Sequence, residues 1–225
     1  MPVNLLKRVP IFASLDEDEL DKIGDMSSEA NYSKNDAIFL ESDSGDSLFI
    51  LKRGKVKISK TSEDGKEVIF AILKDGDFFG EMSLFDGQSR SATVTALADS
   101  NVYIIRREDF MKLIENDPKI SISILREMTG RLRKADSQIK RMSLLKAKDR
   151  VASTLLQLVD LDECFQKKEV EIRNLPSQKD LAKMAGTSRE MISRSIKNFI
   201  NDGLIKKDGD TLVILDFDSF LEKYI

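Results

Sequence analysis

The sequence has no histidine and a single cysteine, Cys164, among its 225 residues. It therefore lacks the commonest metal ligand and general base, which excludes histidine-held haem, histidine-containing zinc sites and Ser-His-Asp triads. One cysteine can form neither an intrachain disulfide nor an iron–sulfur cluster held by several cysteines. Cys164 follows two acidic residues, a setting that disfavours the reactive thiolate and a redox role. We expect no metal site and no catalytic residues, so an enzyme is disfavoured.

Long hydrophobic runs are also missing. No segment approaches the ~18 apolar residues of a membrane span, and the first residues show no signal-peptide pattern. The content of 41% apolar and 33% charged residues is typical of a globular chain rather than a disordered one. The length suits one or two domains. These features predict a soluble, cytoplasmic protein that does not contact a membrane.

Neither charge sign dominates the chain, which carries 36 basic and 39 acidic residues for a net charge of −3. From Ser137 onward there are 16 basic residues against 14 acidic ones, which leaves 20 against 25 before it. The excess of two basic residues from Ser137 onward is too small to indicate nucleic-acid binding. Any such argument must come from where the basic residues lie.

Short segments rich in Val, Ile and Phe alternate with turn residues between about 31 and 105. Strands at this spacing predict an antiparallel sandwich or barrel. The predicted strands are 37–40, 48–51, 55–59, 68–73, 92–96 and 101–105. A helix is expected before them, with Ser14 as its cap ahead of the acidic residues 16–19, because acids suit a helix N-terminus.

A long helix is predicted after the strands, beginning at Asp117-Pro118. Apolar residues recur along it at spacings of three and four, a heptad pattern that favours a parallel two-helix contact with a second copy. The alternative is a single amphipathic helix packed on its own domain. The six residues of this seam are Leu125, Met128, Leu132, Ala135, Ile139 and Met142.

The segment from about 148 to 225 reads as a winged helix-turn-helix. An amphipathic helix over 148–159 is followed by two helices, 177–185 and 187–200, on either side of Gly186. A short hairpin with strands at 204–206 and 211–214 then forms the wing. The fold class is therefore α+β: a β-sandwich or jelly roll, a long helix and a winged helix-turn-helix.

The most informative stretch, 79–94, reads Phe-Gly-Glu-Met-Ser-Leu-Phe-Asp-Gly-Gln-Ser-Arg-Ser-Ala-Thr-Val. Gly80 permits a close backbone approach, and residues 81–85, which include Met82 and Ser83, can form a helical turn whose N–H groups face an anion. Arg90 supplies a forked cation and Ser91 a hydroxyl for phosphate oxygens. Glu81 would repel phosphate, but it can accept a hydrogen bond from a sugar hydroxyl. In the alternative interpretation, Glu81 and Arg90 form an internal ion pair that shapes a loop.

This stretch resembles the phosphate-binding cassette of cyclic-nucleotide-binding domains, F-G-E, a short helix, then R-[SA]-A-[TW]-V. The resemblance implies Glu81 on the ribose 2′-hydroxyl and Arg90 on the cyclic phosphate, with Gly80, Ser91 and the local amides around it. With the helix-turn-helix downstream, nearly the whole chain is similar to the cyclic-AMP receptor protein/fumarate-nitrate regulator (CRP/FNR) family. The missing cysteines exclude that family's iron–sulfur branch. Cyclic AMP is the expected effector, ahead of cyclic GMP or another nucleotide.

The base-binding side departs from the family. In the cyclic-AMP receptors a Thr-Ser pair on the dimer helix contacts adenine, and the matching residues here are Ala135 and Asp136. Ala135 leaves room for a planar base, while ionised Asp136 can only accept hydrogen bonds, from the adenine amine or the guanine edge. Alternatively Asp136 is a solvated partner of Arg133 or Lys140. In the family the position of Arg131 pairs with the cassette glutamate. Met82 and the other methionines are expected to fill the core.

The second helix of the helix-turn-helix has a polar face suited to reading DNA. Ser177–Asp180 and Thr187–Glu190 each match the capping pattern [ST]-x-x-[DE]. Two arginines, Arg189 and Arg194, can grip guanine bidentately, and Glu190 can accept from cytosine. Alternatively Glu190 caps the helix or pairs with Arg194. The face comprises Ser188, Arg189, Glu190, Ser193, Arg194 and Lys197, and the expected phosphate contacts are Ser177, Gln178, Thr187, Lys197, Lys206 and Lys207.

The sequence thus predicts three regions: an effector domain (1–116), a dimerisation helix with a hinge near 143–148 (117–146) and a DNA-binding domain (147–225). The leading hypothesis is a homodimeric transcription regulator of a G·C-containing palindrome of the TGTGA type, controlled by a cyclic nucleotide and contacting RNA polymerase. One alternative keeps DNA binding but makes it constitutive or responsive to another metabolite. A further alternative is a cyclic-nucleotide-binding regulatory subunit that does not bind DNA.

Overall fold

A computed structural model describes residues 3–159 and 168–224, so the prediction for Cys164 lies outside the described residues. Internal contacts divide the chain into two units, Met1–Ala135 and Asp136–Ile225, which are described one at a time. Within the described ranges, no helix has the length and apolar character needed to cross a membrane.

The first unit begins with helix α1 (Val3–Leu6), a 3-10 turn (Pro10–Phe12) and helix α2 (Glu17–Asp25). The prediction of Ser14 as the cap of this helix is wrong, because Asp16 is the N-cap. Its side chain accepts from the backbone N–H of Glu19, whose own carboxylate accepts from the N–H of Asp16. This reciprocal capping box gives hydrogen-bond partners to two backbone N–H groups at once. Ser14 lies two residues before Asp16, too far from the first turn of α2 to take this role.

Eight strands follow and form two antiparallel four-stranded sheets, with strand orders β1-β8-β3-β6 and β2-β7-β4-β5. The β-sandwich is thereby confirmed, and all six predicted strands are present to within two residues at each end. Strands β1 and β6 were not predicted. The strands are β1 (Ser27–Tyr32), β2 (Ala37–Phe39), β3 (Ser47–Arg53), β4 (Val56–Thr61), β5 (Glu67–Leu73), β6 (Phe78–Phe79), β7 (Thr93–Ala96) and β8 (Ser100–Arg106).

Strand β3 separates two apolar cores because successive side chains of a strand point to opposite faces. Phe49 and Leu51 pack between the two sheets, with residues of β4, β6, β7 and β8. Leu48 and Ile50 pack on the other side, with residues of the helices that flank the sandwich. This burial on both faces explains the nearly continuous apolar sequence of β3.

The first unit also contains helices α3 (Glu81–Asp86) and α4 (Arg107–Asn116) and the first part of α5 (Pro118–Leu144). Helix α5 continues into the second unit after Ala135. The start of the long helix at Pro118 is confirmed. Met128 packs against the core of the first unit, but Leu125, Leu132 and Ile139 are 65%, 63% and 65% exposed. The alternative of a helix packed wholly on its own domain therefore fails for these three side chains.

The second unit contains helices α6 (Ala147–Gln157), α7 (Gln178–Ala185), α8 (Arg189–Asn201) and α9 (Phe217–Tyr224). Strands β9 (Val170–Ile172), β10 (Ile205–Asp208) and β11 (Thr211–Ile214) form an antiparallel sheet in the order β10-β11-β9. The winged helix-turn-helix is confirmed, although β9 and α9 were not predicted. One apolar cluster, which includes Val151, Leu181, Ile196, Phe199 and Phe220, joins α6, α7, α8 and α9.

Candidate effector and DNA-binding sites

The predicted cassette turns sharply at Gly80. Gly80 is the N-cap residue of α3 and has a φ of 83°, a left-handed conformation that glycine adopts without steric cost. A Cβ at this position would lie 2.8 Å from Nη1 of Arg90 and 3.1 Å from the carbonyl oxygen of Ser47. The backbone at Gly80 therefore lies close to the guanidinium of Arg90, and its close approach to an anion stays a prediction.

Arg90 is a buried residue of the cassette, with only 4% of its surface exposed. Its Nη1 donates to the carbonyl of Gly80 at 2.8 Å and its Nη2 to the carbonyl of Ser47 at 3.0 Å. The guanidinium carbon stands 4.4 Å from the ring centroid of Phe39 and 5.4 Å from that of Phe49, within cation–π range. Burial lowers the pKa of Arg90, whereas the carboxylates of Asp46, Asp43 and Glu81 raise it. The buried Nε is left without a hydrogen-bond partner.

Glu81 is the second buried charge of the cassette, at 5% exposure. Its Oε1 accepts from Nη1 of Arg131 at 3.0 Å, and Nη2 of Arg131 donates to the carbonyl of Phe78 at 2.8 Å. The hydrogen bonds of Glu81 and Arg90 therefore go to other partners, and the alternative of a direct Glu81–Arg90 pair is not favoured. A carboxylate can accept several hydrogen bonds, so Glu81 retains capacity for a sugar hydroxyl.

The surroundings of Arg131 are acidic. Its Nε donates to Glu127 at 3.2 Å, and its guanidinium carbon lies 4.3 Å from the ring centroid of Phe78. Burial raises the pKa of the nearby Asp77, while the backbone N–H of Lys74 and the charges of Lys74 and Arg131 lower it. Arg131 thus offsets the charge of several carboxylates at the edge of the cassette.

The other cassette residues differ in exposure. Ser83 is buried, and a Cβ at Gly45 would collide with its side chain, so the 42–46 loop lies close against α3. Ser91 is exposed, and its hydroxyl donates to the sulfur of Met82 at 3.4 Å. The interpretation of Met82 as core filler is wrong, because Met82 is 51% exposed. Its polarizable sulfur lies at the surface beside Ser91.

Ala135 and Asp136 both lie on α5 with exposed side chains. They follow Arg131 along the helix by four and five residues. Their part in holding a base stays a prediction, as does the alternative pairing of Asp136 with Arg133 or Lys140.

The helix-turn-helix comprises α7, a turn at Gly186 and α8. Ser177 is the N-cap of α7 and accepts from the N–H of Asp180 at 3.1 Å, as the capping pattern predicted. For α8 the predicted cap at Thr187 is wrong by one residue. Ser188 is the N-cap and accepts from the N–H of Met191 at 3.2 Å, because Gly186 takes the left-handed conformation and α8 starts at Arg189.

The outer face of α8 is the predicted DNA-reading surface. Its members Arg189, Glu190, Ser193, Arg194 and Lys197 are all exposed, whereas Ile192, Ile196 and Phe199 are buried. The backbone N–H of Glu190 itself, the Ser188 hydroxyl and the charge of Arg189 lower the pKa of the Glu190 carboxyl group. In the wing, Lys206 and Lys207 are also exposed, while Gln178 and Thr187 are half-buried.

Sequence reasoning missed the residues that support the cassette. Ser47, Phe39 and Phe49 hold Arg90 from strands more than 40 residues away in sequence. Arg107 donates from Nε to the carbonyl of Leu84 at 2.9 Å and so fixes the end of α3. No local pattern marks these residues, since their role depends on the pairing of distant strands. Within the described ranges, no cluster of three or more potential ligands could hold a metal ion.

Comparison with known proteins agrees with this arrangement. Residues 29–117 match the cyclic nucleotide-binding domain, and residues 149–222 match the Crp-like helix-turn-helix domain. The fold and the two matched domains define a DNA-binding transcription regulator with a cyclic-nucleotide-binding domain.

The individual relatives are regulators of the same kind. The chain is 32% identical over 211 residues to the cyclic AMP receptor protein of Thermus thermophilus, covering 93% of this chain and 94% of the relative. It is 31% identical over 200 residues to the cAMP-activated global transcriptional regulator Vfr of Pseudomonas aeruginosa, covering 87% and 92%. The structure of CLP, a c-di-GMP responsive global regulator of Xanthomonas campestris, superposes with a TM-score of 0.74 at 25% identity, covering 88% and 99%. The chain belongs to the CRP/FNR family of transcription regulators, and the relatives named here are regulators rather than enzymes.

Proposed function

We propose that the protein is a homodimer whose affinity for DNA is set by a cyclic nucleotide bound at the cassette, with cyclic AMP as the first candidate. The observation that carries this proposal is the buried Arg90, whose Nε has no partner, next to Gly80 and the buried Glu81. An unpaired N–H on a buried cation costs free energy unless a ligand oxygen accepts from it. A cyclic phosphate supplies such an oxygen, and its ribose supplies a hydroxyl for Glu81.

In the proposed complex, Ser83, Ser91 and the amides around Gly80 and Met82 complete the phosphate contacts. Arg131 holds Glu81 in place for the ribose, and Ala135 and Asp136 line the base. An acceptor at Asp136 suits the amine of adenine as well as the N–H groups of guanine. The names of two relatives point to cyclic AMP, whereas that of CLP points to a cyclic dinucleotide. The effector assay therefore includes cyclic AMP, cyclic GMP and cyclic di-GMP.

The proposed DNA contact uses the exposed face of α8 in the major groove. Arg189 and Arg194 would each grip a guanine, and Glu190 would accept from a cytosine, which gives a G·C-containing half-site. Two copies related by a two-fold axis would meet half-sites ~34 Å apart, on a palindromic operator. The polar side chains that would fix the register on phosphates are Ser177, Gln178, Thr187, Ser188, Ser193, Lys197, Lys206 and Lys207. RNA polymerase and a cytoplasmic location belong to the same proposal.

One observation favours a second candidate function, in which the same regulator binds DNA without a nucleotide. Arg90 donates to the carbonyls of Gly80 and Ser47, so it shapes the cassette through bonds within the protein itself. A cassette stabilised in this way can persist as a structural loop. The two functions differ in one measurable property, the response of DNA affinity to added nucleotide.

The test is a calorimetric titration of the full chain with cyclic AMP, cyclic GMP and cyclic di-GMP, followed by fluorescence anisotropy on an operator selected in vitro. We expect one nucleotide to bind and to raise DNA affinity at least tenfold. Arg90→Lys keeps the charge but loses the fork, so it should weaken nucleotide binding by about tenfold, the loss of one charge-assisted hydrogen bond. The matched control is Arg53→Lys at the exposed end of β3, which should bind like the wild type.

Unchanged DNA affinity with all three nucleotides would reject the effector proposal in favour of the second candidate. The third possibility, a nucleotide-binding subunit without DNA binding, predicts no retardation of any duplex in a gel. A salt-sensitive shift that Arg189→Ala weakens would exclude it, because phosphate contacts release counterions.

A further inference from the structure

The strongest unexplained feature lies where α5 ends and α6 begins. Arg150, on the first turn of α6, uses all three nitrogen positions of its guanidinium on backbone carbonyls. Nη1 donates to Leu145 at 3.0 Å, Nε to Ala185 at 3.0 Å and Nη2 to Gly186 at 3.1 Å. These three contacts lie entirely within the second unit.

The three carbonyls belong to two helix ends. Leu145 directly follows the last residue of α5, while Ala185 and Gly186 are the last residue and the cap of α7. Carbonyls at a helix C-terminus lack intrahelical partners and carry the negative end of the helix dipole. A half-buried guanidinium only donates hydrogen bonds, and its N–H groups point in several directions within one plane. It can therefore bind carbonyls at the C-terminal ends of α5 and α7 at the same time. Arg150 thus ties the α5–α6 connection to the turn of the helix-turn-helix.

A second contact joins the same two places. A Cβ built on Gly186 would collide with the terminal methyl group of Met142, on the last turn of α5. Met142 therefore packs directly against the left-handed turn at Gly186, three residues before the start of α8 at Arg189. The end of α5 consequently holds the helix-turn-helix turn by a side-chain contact as well as through Arg150.

The opposite end of α8 is also held from α6. Nζ of Lys148 lies 5.4 Å from the ring centroid of Phe199 and 3.6 Å from the carboxylate of Asp202, the C-cap of α8. Lys148 and Asp202 are both well exposed, so this pair is weak, because solvent screens it. Arg150, with three bonds to carbonyls, is the stronger of the two contacts.

From this geometry we propose that Arg150 is a positioning residue for DNA binding, which locks the 143–148 connection to the α7–α8 turn so that these segments move as one body. In this proposal Arg150 holds the 143–148 segment, which sequence reasoning assigned as a hinge, against the helix-turn-helix. Arg150 contacts neither DNA nor effector in this proposal, and it acts through the placement of Ser188 and Arg189 at the start of α8. The DNA-affinity part rests on the proposed function, whereas the locking of the two segments does not.

The first test is hydrogen exchange on the free full-length protein. The reporting amides are Leu145, which donates to Arg141, and Thr187, which donates to Ala182. Arg150→Ala should speed exchange at both amides at least tenfold. The exchange rates of Arg150→Lys should lie between those of the wild type and Arg150→Ala, because an ammonium cannot reach three carbonyls in one plane. Arg173→Ala is the matched control, since Arg173 is exposed and pairs with Glu171. Wild-type exchange at both amides, or a uniform increase across the whole second unit, would overturn the proposal.

The second test separates positioning from general destabilisation. With saturating effector, Arg150→Ala should weaken binding to the selected operator about tenfold, while its affinity for the effector stays within twofold of wild type. An operator affinity within twofold of wild type would also overturn the proposal. If the wild-type protein selects no operator, the proposed function fails, yet the exchange result still decides whether Arg150 locks the connection.

Discussion

The cassette and the DNA-reading face of α8 both depend on arginines, but they place them in opposite environments. Arg90 is 4% exposed and bonded to two carbonyls, whereas Arg189 and Arg194 project into solvent. A site for one small anion gains from a charge that is fixed and desolvated in advance. A helix that reads a groove needs long side chains on its surface that adapt to base edges. Substitutions of these arginines should therefore affect folding as well as binding in the cassette, and binding alone on α8.

The largest expected effect is that of Arg131→Ala, which leaves the buried carboxylate of Glu81 without its partner. Removing one member of a buried ion pair costs about 3–5 kcal/mol, and the partial exposure of Arg131 puts the effect near the lower end. Urea denaturation monitored on the first unit measures the change in free energy of unfolding. The double variant with Glu81→Gln should regain part of the loss. A cost below that of an ordinary surface substitution would show that solvent already screens Glu81.

Two glycines with positive φ test the same contrast through the backbone. Gly80→Ala combines a left-handed backbone with a Cβ 2.8 Å from Nη1 of Arg90. A Cβ added at Gly209 in the wing would also stand on a left-handed backbone, but it would meet no atom within 4 Å. The conformation alone costs about 1–2 kcal/mol. We therefore expect Gly209→Ala to cost about 1 kcal/mol and Gly80→Ala clearly more, as measured by denaturation of each variant. Equal costs would mean that Arg90 yields to the new methyl group.

A smaller effect distinguishes the two possible caps of α8. Ser188→Ala removes the side chain that accepts from Met191 and should cost about 1 kcal/mol. Thr187→Ala should change the free energy of unfolding by less than about 0.5 kcal/mol, since Thr187 is not the cap. Thermal unfolding of the two variants in parallel measures the difference. A larger loss of stability for Thr187→Ala than for Ser188→Ala would show that Thr187 caps α8.

The smallest effect on stability is expected for Arg189→Ala. Exposed side chains without structural partners change the free energy of unfolding by no more than about 0.5 kcal/mol. The same variant should lose about 1–3 kcal/mol of operator affinity and relax specificity at one base pair. Binding titrations on operators with single substitutions measure both quantities. A destabilised Arg189→Ala variant would remove the contrast between the two regions.

The sequence predicted most of the fold because its signals are local. Short apolar segments separated by turn residues marked six strands, and Pro118 and Gly186 marked helix boundaries. Strand β6 has two residues and β9 three, too few for a periodic pattern to stand out. The caps at positions 14 and 187 were misplaced for a related reason. Two residues able to cap precede each helix, Ser14 and Asp16 before α2 and Thr187 and Ser188 before α8, and the backbone conformation decides which of the two is the cap.

The candidate site could be proposed from the sequence for the same reason. The cassette residues lie close together in sequence, so Gly80, Glu81, Arg90 and Ser91 could be named as candidates without the structure. Their supports were not, since Ser47 and the rings of Phe39 and Phe49 reach Arg90 only through strand pairing. The role of Arg150 was hidden in an ordinary amphipathic pattern, because its partners are backbone carbonyls, which leave no mark on residue type.

The exposed leucines and isoleucine along α5 bear on how much of this regulator a cell must make. In the proposed homodimer, a two-copy contact on this narrow apolar strip would separate on dilution, so the paired fraction would rise with the amount of chain present. Halving synthesis would lower the paired form more than twofold when most copies are single. Expression level would thus act as a threshold in its own right, beside any signal molecule.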